Sequence, residues 1–273
     1  MLSRRPHPAA HRTEVWDGQT TGHWARLLQD SAVVNLAGAL VDRRPTAANI
    51  NVLTSSRVEP TQALVRAAEG RDVRVWLQGS TLAIHGDAGE ALLTETAPLA
   101  DGPPQMSGVA RAWEGAAVGA QAERQVILRT SIVLDRDTPA LDRLTGIARW
   151  GLGGRVASGQ QWFSWIHVED WLRLTVQLVE GEGHVGALSG IVVATSPQPA
   201  RNEDLMSALR SALHRPPTPP TPAWAVKLGA VVLRTDPALA LTGRRAVPAR
   251  LLEAGFRFEH PDLREALLDL LKH

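Results

Sequence analysis

An α/β fold built on a parallel sheet is predicted by three features of the 273-residue chain. Short apolar runs alternate with stretches at helical spacing. The runs are continuously apolar, as strands buried on both faces are, and they end in glycine or small polar residues. Hydrophobic residues at 44% and charged residues at 21% suit a globular chain with a sizeable core. Twenty-nine basic residues against 28 acidic ones give +1, which argues against a nucleic-acid surface built on bulk charge. Cysteine is absent, excluding disulfides, thiolate metal ligands and thiol nucleophiles. Tyrosine is absent too. No run approaches the roughly 18 apolar residues of a membrane span, and Met1–His11 holds no apolar segment. The reading is a soluble, cytoplasmic protein with no membrane partner.

Taken in order, the first dozen residues carry three arginines and two prolines and read as a loop. Thr13–Trp16 is a short strand and Trp24–Gln29 a short helix. Ser31–Gly38 (SAVVNLAG) is a buried parallel strand with a glycine exit. Ala47–Ala68 sets Ile50, Leu53, Val58, Leu64 and Val65 at roughly helical spacing, and Pro60 predicts a break or kink there. Val73–Leu77 is the next strand, running into Gln78–Thr81. A helix over Gln105–Glu123 precedes Val126–Leu134 (VILRTSIVL), the strongest strand signal. Arg215–Pro222 holds five prolines in eight residues and acts as a stiff spacer. Trp224–Leu233 and Asp262–Leu271 are helical in pattern.

A set of motifs then carries a resemblance: Asn35-Leu-Ala-Gly38, Ser56-Arg-Val58, Leu93-Thr-Glu95, Trp113-Glu114, Leu128–Leu134, Gly151-Leu-Gly-Gly154, Ser158–Trp162, Trp165–Asp170 and Leu251–Phe258. Together and in this order they resemble the atypical, epimerase-family branch of the extended short-chain dehydrogenase/reductases. That resemblance implies a Rossmann-like doubly wound parallel sheet over residues 1–150 and a smaller C-terminal substrate lobe with a family-specific domain over 151–273. It begins late. No G-x-G-x-x-G stands near the start, so about thirty residues carrying the Gly-rich turn that cradles a dinucleotide pyrophosphate are absent from it. Without the first strands, Thr13–Trp16 would lack a partner and the strand ending at Asn35 would be a sheet edge.

The resemblance implies NADP(H), or NAD, as cofactor and a small molecule as substrate. Arg4 and Arg5 would reach a 2′-phosphate; two exposed arginines on a terminus are the bland alternative. Asn35, Leu36, Ala37 and Gly38 would meet the adenosine half. Gly79, Ser80, Thr81, Thr130 and Ile132 would line the nicotinamide side, although Ser80 also suits a turn. Gln161, Trp162 and His167 would line the substrate lobe, with Trp162, Phe163 and Trp165 as an apolar floor or ordinary core.

The Tyr-x-x-x-Lys pair usual in the superfamily falls on Met106 and Ala110, neither able to transfer a proton. Ser80 and His85 are the substitutes available. His85 sits in a Gly/Asp-rich loop and is expected to be solvated, and Ser80 lacks a nucleophile elbow. His167 and Asp170, in an H-V-x-D turn, are expected to secure the C-terminal lobe. No histidine spacing marks a metal site. Gly151–Gly154 follows a helical run, Ala140–Trp150, and so is no nucleotide loop. The reading is an epimerase- or reductase-like NAD(P)-binding oxidoreductase or isomerase without its Tyr/Lys pair. The rival is a non-catalytic dinucleotide-binding or regulatory protein, or an inactive remnant. The resemblance further predicts a start codon upstream of Met1; native protein beginning at Met1 would overturn that.

Overall fold

The computed structural model describes residues 1–6, 12–136 and 138–272. Part of the N-terminal loop reading, residues 7–11, lies outside the described residues. The chain opens with β1 (Leu2–Ser3), β2 (Glu14–Val15), a 3-10 helix at His23–Leu28 and β3 (Ala32–Asn35). Next come α1 (Ala47–Ala68), β4 (Val75–Thr81), β5 (Leu92–Leu93) and a π turn at Pro104–Gly108 leading into α2 (Val109–Ala116). The middle of the chain forms β6 (Arg124–Thr130), β7 (Ile132–Leu134), α3 (Pro139–Arg149), β8 (Trp162–Phe163), β9 (Trp165–His167) and α4 (Val168–Glu180). The remainder forms α5 (Gly183–Gly186), β10 (Gly190–Ala194), β11 (Ala200–Arg201), α6 (Asn202–Ala212), α7 (Ala223–Leu233), α8 (Ala238–Leu241), β12 (Arg245–Ala246), α9 (Ala249–Glu253) and α10 (Leu263–Leu271).

Four strands form the main sheet in the order β10-β6-β4-β3, every neighbour parallel. Successive strand residues point to opposite faces, and both faces are covered. Trp76 packs with Ala63 and Leu64 of α1. Leu77, one residue on, packs with Leu174 and Leu178 of α4. That two-sided burial is why the strands read as unbroken apolar runs, and the α/β, doubly wound arrangement is as expected. Among the described residues no helix is long and apolar enough to cross a membrane.

Four expectations are corrected. Thr13–Trp16 is not without a partner: β2 pairs in parallel with β1, Leu2 opposite Glu14. On the far side of β3, no strand pairs with it among the described residues. Pro60 breaks nothing. It removes one donor, but the Thr46 hydroxyl caps α1 by accepting from Asn49 N–H, and the face of Leu53, Ala63, Leu64, Ala67 and Ala68 is buried. The run Val126–Leu134 is two strands. Ser131 N–H turns to the Ala194 carbonyl, so β6 stays in the main sheet while β7 leaves to pair with β9. The helix expected over Gln105–Glu123 ends at Ala116, and Gly119 beyond it has φ +88°, a conformation suited to glycine.

The C-terminal segment is tied to α4 by one buried carboxylate. Asp170 is fully buried and accepts from the backbone N–H of Glu259 at 2.8 Å and of His260 at 3.0 Å, with Arg173 at 3.4 Å. Asp170→Ala strands both N–H groups and is expected to cost about 3 kcal/mol, read by urea denaturation. An unchanged midpoint would show that the carboxylate does not hold this segment.

Candidate functional site

The carboxyl ends of β3, β4 and β6 open onto two adjoining cavities. The smaller, about 310 Å³, is lined by Leu36, Gly79, Ser80 and Thr130 among others. The larger, about 370 Å³, lies between these strand ends and β8, α8 and Arg244. Thr81, Met106, Ala110, Thr130, Ile132 and Trp162 are among its lining residues.

A buried ion pair lies beside these cavities. Arg129 Nε donates to Glu114 Oε1 at 2.9 Å and Nη2 to Oε2 at 3.0 Å, a two-point contact that orients both groups. Ser80 Oγ donates to the same Glu114 Oε1 at 2.5 Å. β4, β6 and α2 thus meet at one carboxylate. Trp113, the neighbour of Glu114, lies against Gly79, where an added Cβ would stand 2.8 Å from the Asn35 carbonyl. The close packing of this corner is why glycine is needed there.

The other expected residues divide. Leu36, Gly79, Ser80, Thr81, Thr130, Ile132 and Trp162 line one cavity or the other. Asn35 is committed to structure: its amide donates to Thr61 Oγ1 at 2.8 Å and Gln78 Oε1 at 3.0 Å, and its Oδ1 accepts from Ala37 N–H. Gly38 sits against Arg57. Gln161 donates to the carbonyls of Val156 and Ala240. Arg4 and Arg5 are exposed just beyond β1. Phe163 lines the larger cavity, whereas Trp165 is fully buried in the core with Leu134 and Leu205.

His85 is corrected from solvated to buried, at 4% exposure. Its Nδ1 lies 2.8 Å from the Pro98 carbonyl, so in the neutral ring Nδ1 carries the proton and Nε2, buried without a partner, is left as an acceptor. Burial holds its pKa below the ordinary histidine value, and the nearby Arg129 adds to this. His167 is equally buried. Its Nδ1 accepts from Glu169 N–H and caps α4, and its ring stacks on His260 at 3.8 Å. Burial, then the neighbouring His260, lowers its pKa.

His167, Glu169 and His260 bring ligand atoms within 4.8 Å of one another, a grouping that sequence spacing did not show. In the neutral ring, however, the cap bond to Nδ1 leaves the proton on His167 Nε2. That tautomer has no lone pair to give a metal. Sequence reasoning also passed over Arg57 and Arg244, which line the larger cavity, and the Arg129–Glu114 pair. An arginine inside the apolar strand VILRT was the signal available for that pair.

Both histidine shifts have one sign for stability. Each unfolded ring takes up a proton near pH 6.5 that the folded ring refuses, so the stability is full above that pH and is lost as the pH falls below it. The melting temperature is expected to drop between pH 7 and pH 5, and His85→Gln to make the drop smaller. A drop of equal size in the variant would contradict this assignment for His85.

Residues 221–270 match a family described as a domain of unknown function, DUF1731. The chain is 33% identical over 277 residues to the bovine (Bos taurus) epimerase family protein SDR39U1, covering 99% of this chain and 90% of the relative. It is 32% identical to the epimerase family protein ML0860 of Mycobacterium leprae, covering 86% and 75%. The crystal structure of human epimerase family protein SDR39U1 (isoform 2) with NADPH superposes with a TM-score of 0.84 at 28% identity, covering 99% of this chain and 89% of that one. Sequence identity over nearly the whole chain and the shared fold agree, and the chain belongs to the epimerase family, an atypical branch of the extended short-chain dehydrogenase/reductases.

Proposed function

We propose that the protein binds NADP(H) across the carboxyl ends of β3, β4 and β6. It would act there as an epimerase- or reductase-like enzyme on a small molecule held in the larger cavity. The observation that carries this reading is the placement of Gly79, Ser80 and Thr130 along open space at the ends of parallel strands, where ligands of such sheets bind. NADPH bound to the human relative supports the choice of cofactor. The small and hydroxyl residues at these strand ends suit a nicotinamide; among the described residues none supplies a Gly-rich strand-to-helix cradle for the pyrophosphate. Arg4 and Arg5 are the residues we assign to the 2′-phosphate, an arginine fork being suited to that dianion.

When bound, the nicotinamide supplies or takes up a hydride. The chain's own part is positioning and proton handling. Ser80 donates its hydroxyl proton to Glu114, which leaves Oγ free to accept from a substrate hydroxyl. Arg129 holds Glu114 in place as the local acceptor. Trp162, with Arg201 3.7 Å and Arg245 4.9 Å from its ring, closes the substrate side. His85 is not among the residues lining either cavity.

Met106 and Ala110, the positions we assign to the superfamily's Tyr and Lys, line the cavity, and neither moves a proton. That observation favours a second reading, a dinucleotide-binding regulatory protein without catalysis. Titration of the 273-residue chain with NADPH, followed by tryptophan emission, tests the cofactor. Saturable quenching at micromolar NADPH is expected, with NADH binding about tenfold weaker and Arg4→Ala/Arg5→Ala erasing the difference. No quenching would sink the assignment. Oxidation of bound NADPH by any carbonyl substrate would then decide for the enzyme over the regulator.

A further inference from the structure

We infer that the larger cavity takes a substrate carrying an anionic oxygen group, a carboxylate or a phosphoryl, and that Arg244 is the residue that receives it. This rests on the cavity being the substrate site proposed above. Four guanidiniums, of Arg43, Arg44, Arg57 and Arg244, stand among the cavity's lining residues against a single carboxylate, Asp236. Asp236 is already occupied, accepting from Gln105 Nε2 at 3.0 Å and from Ala238 N–H at 2.9 Å. Arg43, Arg44 and Arg57 turn donors to the backbone carbonyls of Leu40, Val231, Leu53 and Ala39.

Arg244 differs from the other three. Its Nε is buried with no hydrogen-bond partner, and its Nη2 points at the thioether of Met106, 3.2 Å away, a weak acceptor. Among the described residues it forms no ion pair. The carboxylate nearest in effect, Asp87, spends Oδ1 on Gly243 N–H. Burial depresses the Arg244 pKa from its ordinary value, yet an arginine stays charged at neutral pH. A dehydrated, unpaired guanidinium facing open space is a site waiting for an anion.

Its backbone is fixed as a binding group requires. Arg244 N–H donates to the Trp162 carbonyl at 3.1 Å, and the Arg244 carbonyl accepts from Ser164 Oγ at 2.7 Å. Gly243 lies so close that an added Cβ would stand 2.3 Å from Trp162 N. The guanidinium is therefore preorganised rather than free to wander. It faces Met106, the position we assign to the superfamily's tyrosine, and on that assignment the anionic group would sit beside the reacting carbon.

Malonate, inorganic pyrophosphate and neutral glucose serve as probes, followed by tryptophan emission from Trp113 and Trp162 on the cavity wall. One of the two anions is expected to bind saturably and glucose not. Arg244→Met should weaken that anion by about tenfold or more and Arg244→Lys by about threefold or less, since Lys keeps the charge. NADPH affinity should be unchanged in both variants, with near-ultraviolet circular dichroism confirming their fold. Tighter malonate binding assigns a carboxylate substrate, tighter pyrophosphate binding a phosphoryl one. Anion affinity unchanged in folded Arg244→Met, or no anion binding better than glucose, would overturn the inference. Loss of anion binding in that variant, in a chain that binds no NADPH, would leave the anion site standing and remove the cofactor reading.

Discussion

The bidentate contact between Arg129 and Glu114 is the constraint around which the site is arranged. An arginine 3% exposed in the middle of the sheet is tolerable only if its charge is matched by a fixed carboxylate. Glu114 can supply that match only if α2 lies where it does. The same helix and the π turn before it carry Met106 and Ala110 into the cavity wall, and Trp113 onto Gly79. Ser80 adds β4 to the same carboxylate. Three elements, β4, α2 and β6, are therefore held together by a single charge pair. Losing either partner would leave the other buried without compensation.

Much of the fold was legible because burial on two faces writes itself as continuous apolar runs. β4 and β6 announce themselves in this way, as do the helices α3, α7 and α10, whose bounds fall within a residue or two of those read from pattern. What escaped was set by partners rather than by local composition. Nothing within VILRTSIVL distinguishes the strand that stays in the sheet from the one that leaves it, because the division is made by Ala194 and Trp165 far along the chain. Pro60 was read as a break on propensity, and packing overrode it.

The site shows the same division. Gly79, Ser80 and Thr130 line the smaller cavity, and their place at strand ends, where ligands of such sheets bind, is what made them legible as candidates. His85 was misjudged because its loop is rich in Gly and Asp, while the fold of that loop turns the ring inward onto the Pro98 carbonyl. Arg244 left no periodic trace at all. Its importance comes from what its Nε lacks, a partner, and only three-dimensional neighbours reveal that. The empty tyrosine count was the strongest compositional signal, and the cavity wall offers no phenol in its place: the side chains of Met106 and Ala110 there are a thioether and a methyl.

The larger cavity draws its walls from both ends of the chain. Val41, Arg43 and Arg44 line one side and Asp236, Leu239, Thr242 and Arg244 another, and Asp42 joins the two segments by accepting from Thr235 Oγ1 across a separation of 193 residues. Contacts of such sequence range form slowly, because the loop they close must first be ordered by everything between. The cavity is thus a late product of folding, completed after the sheet and its flanking helices have come together. During synthesis the strand ends lack this wall until Asp236 to Arg244 have emerged, and the interior that would enclose a ligand is not closed before then.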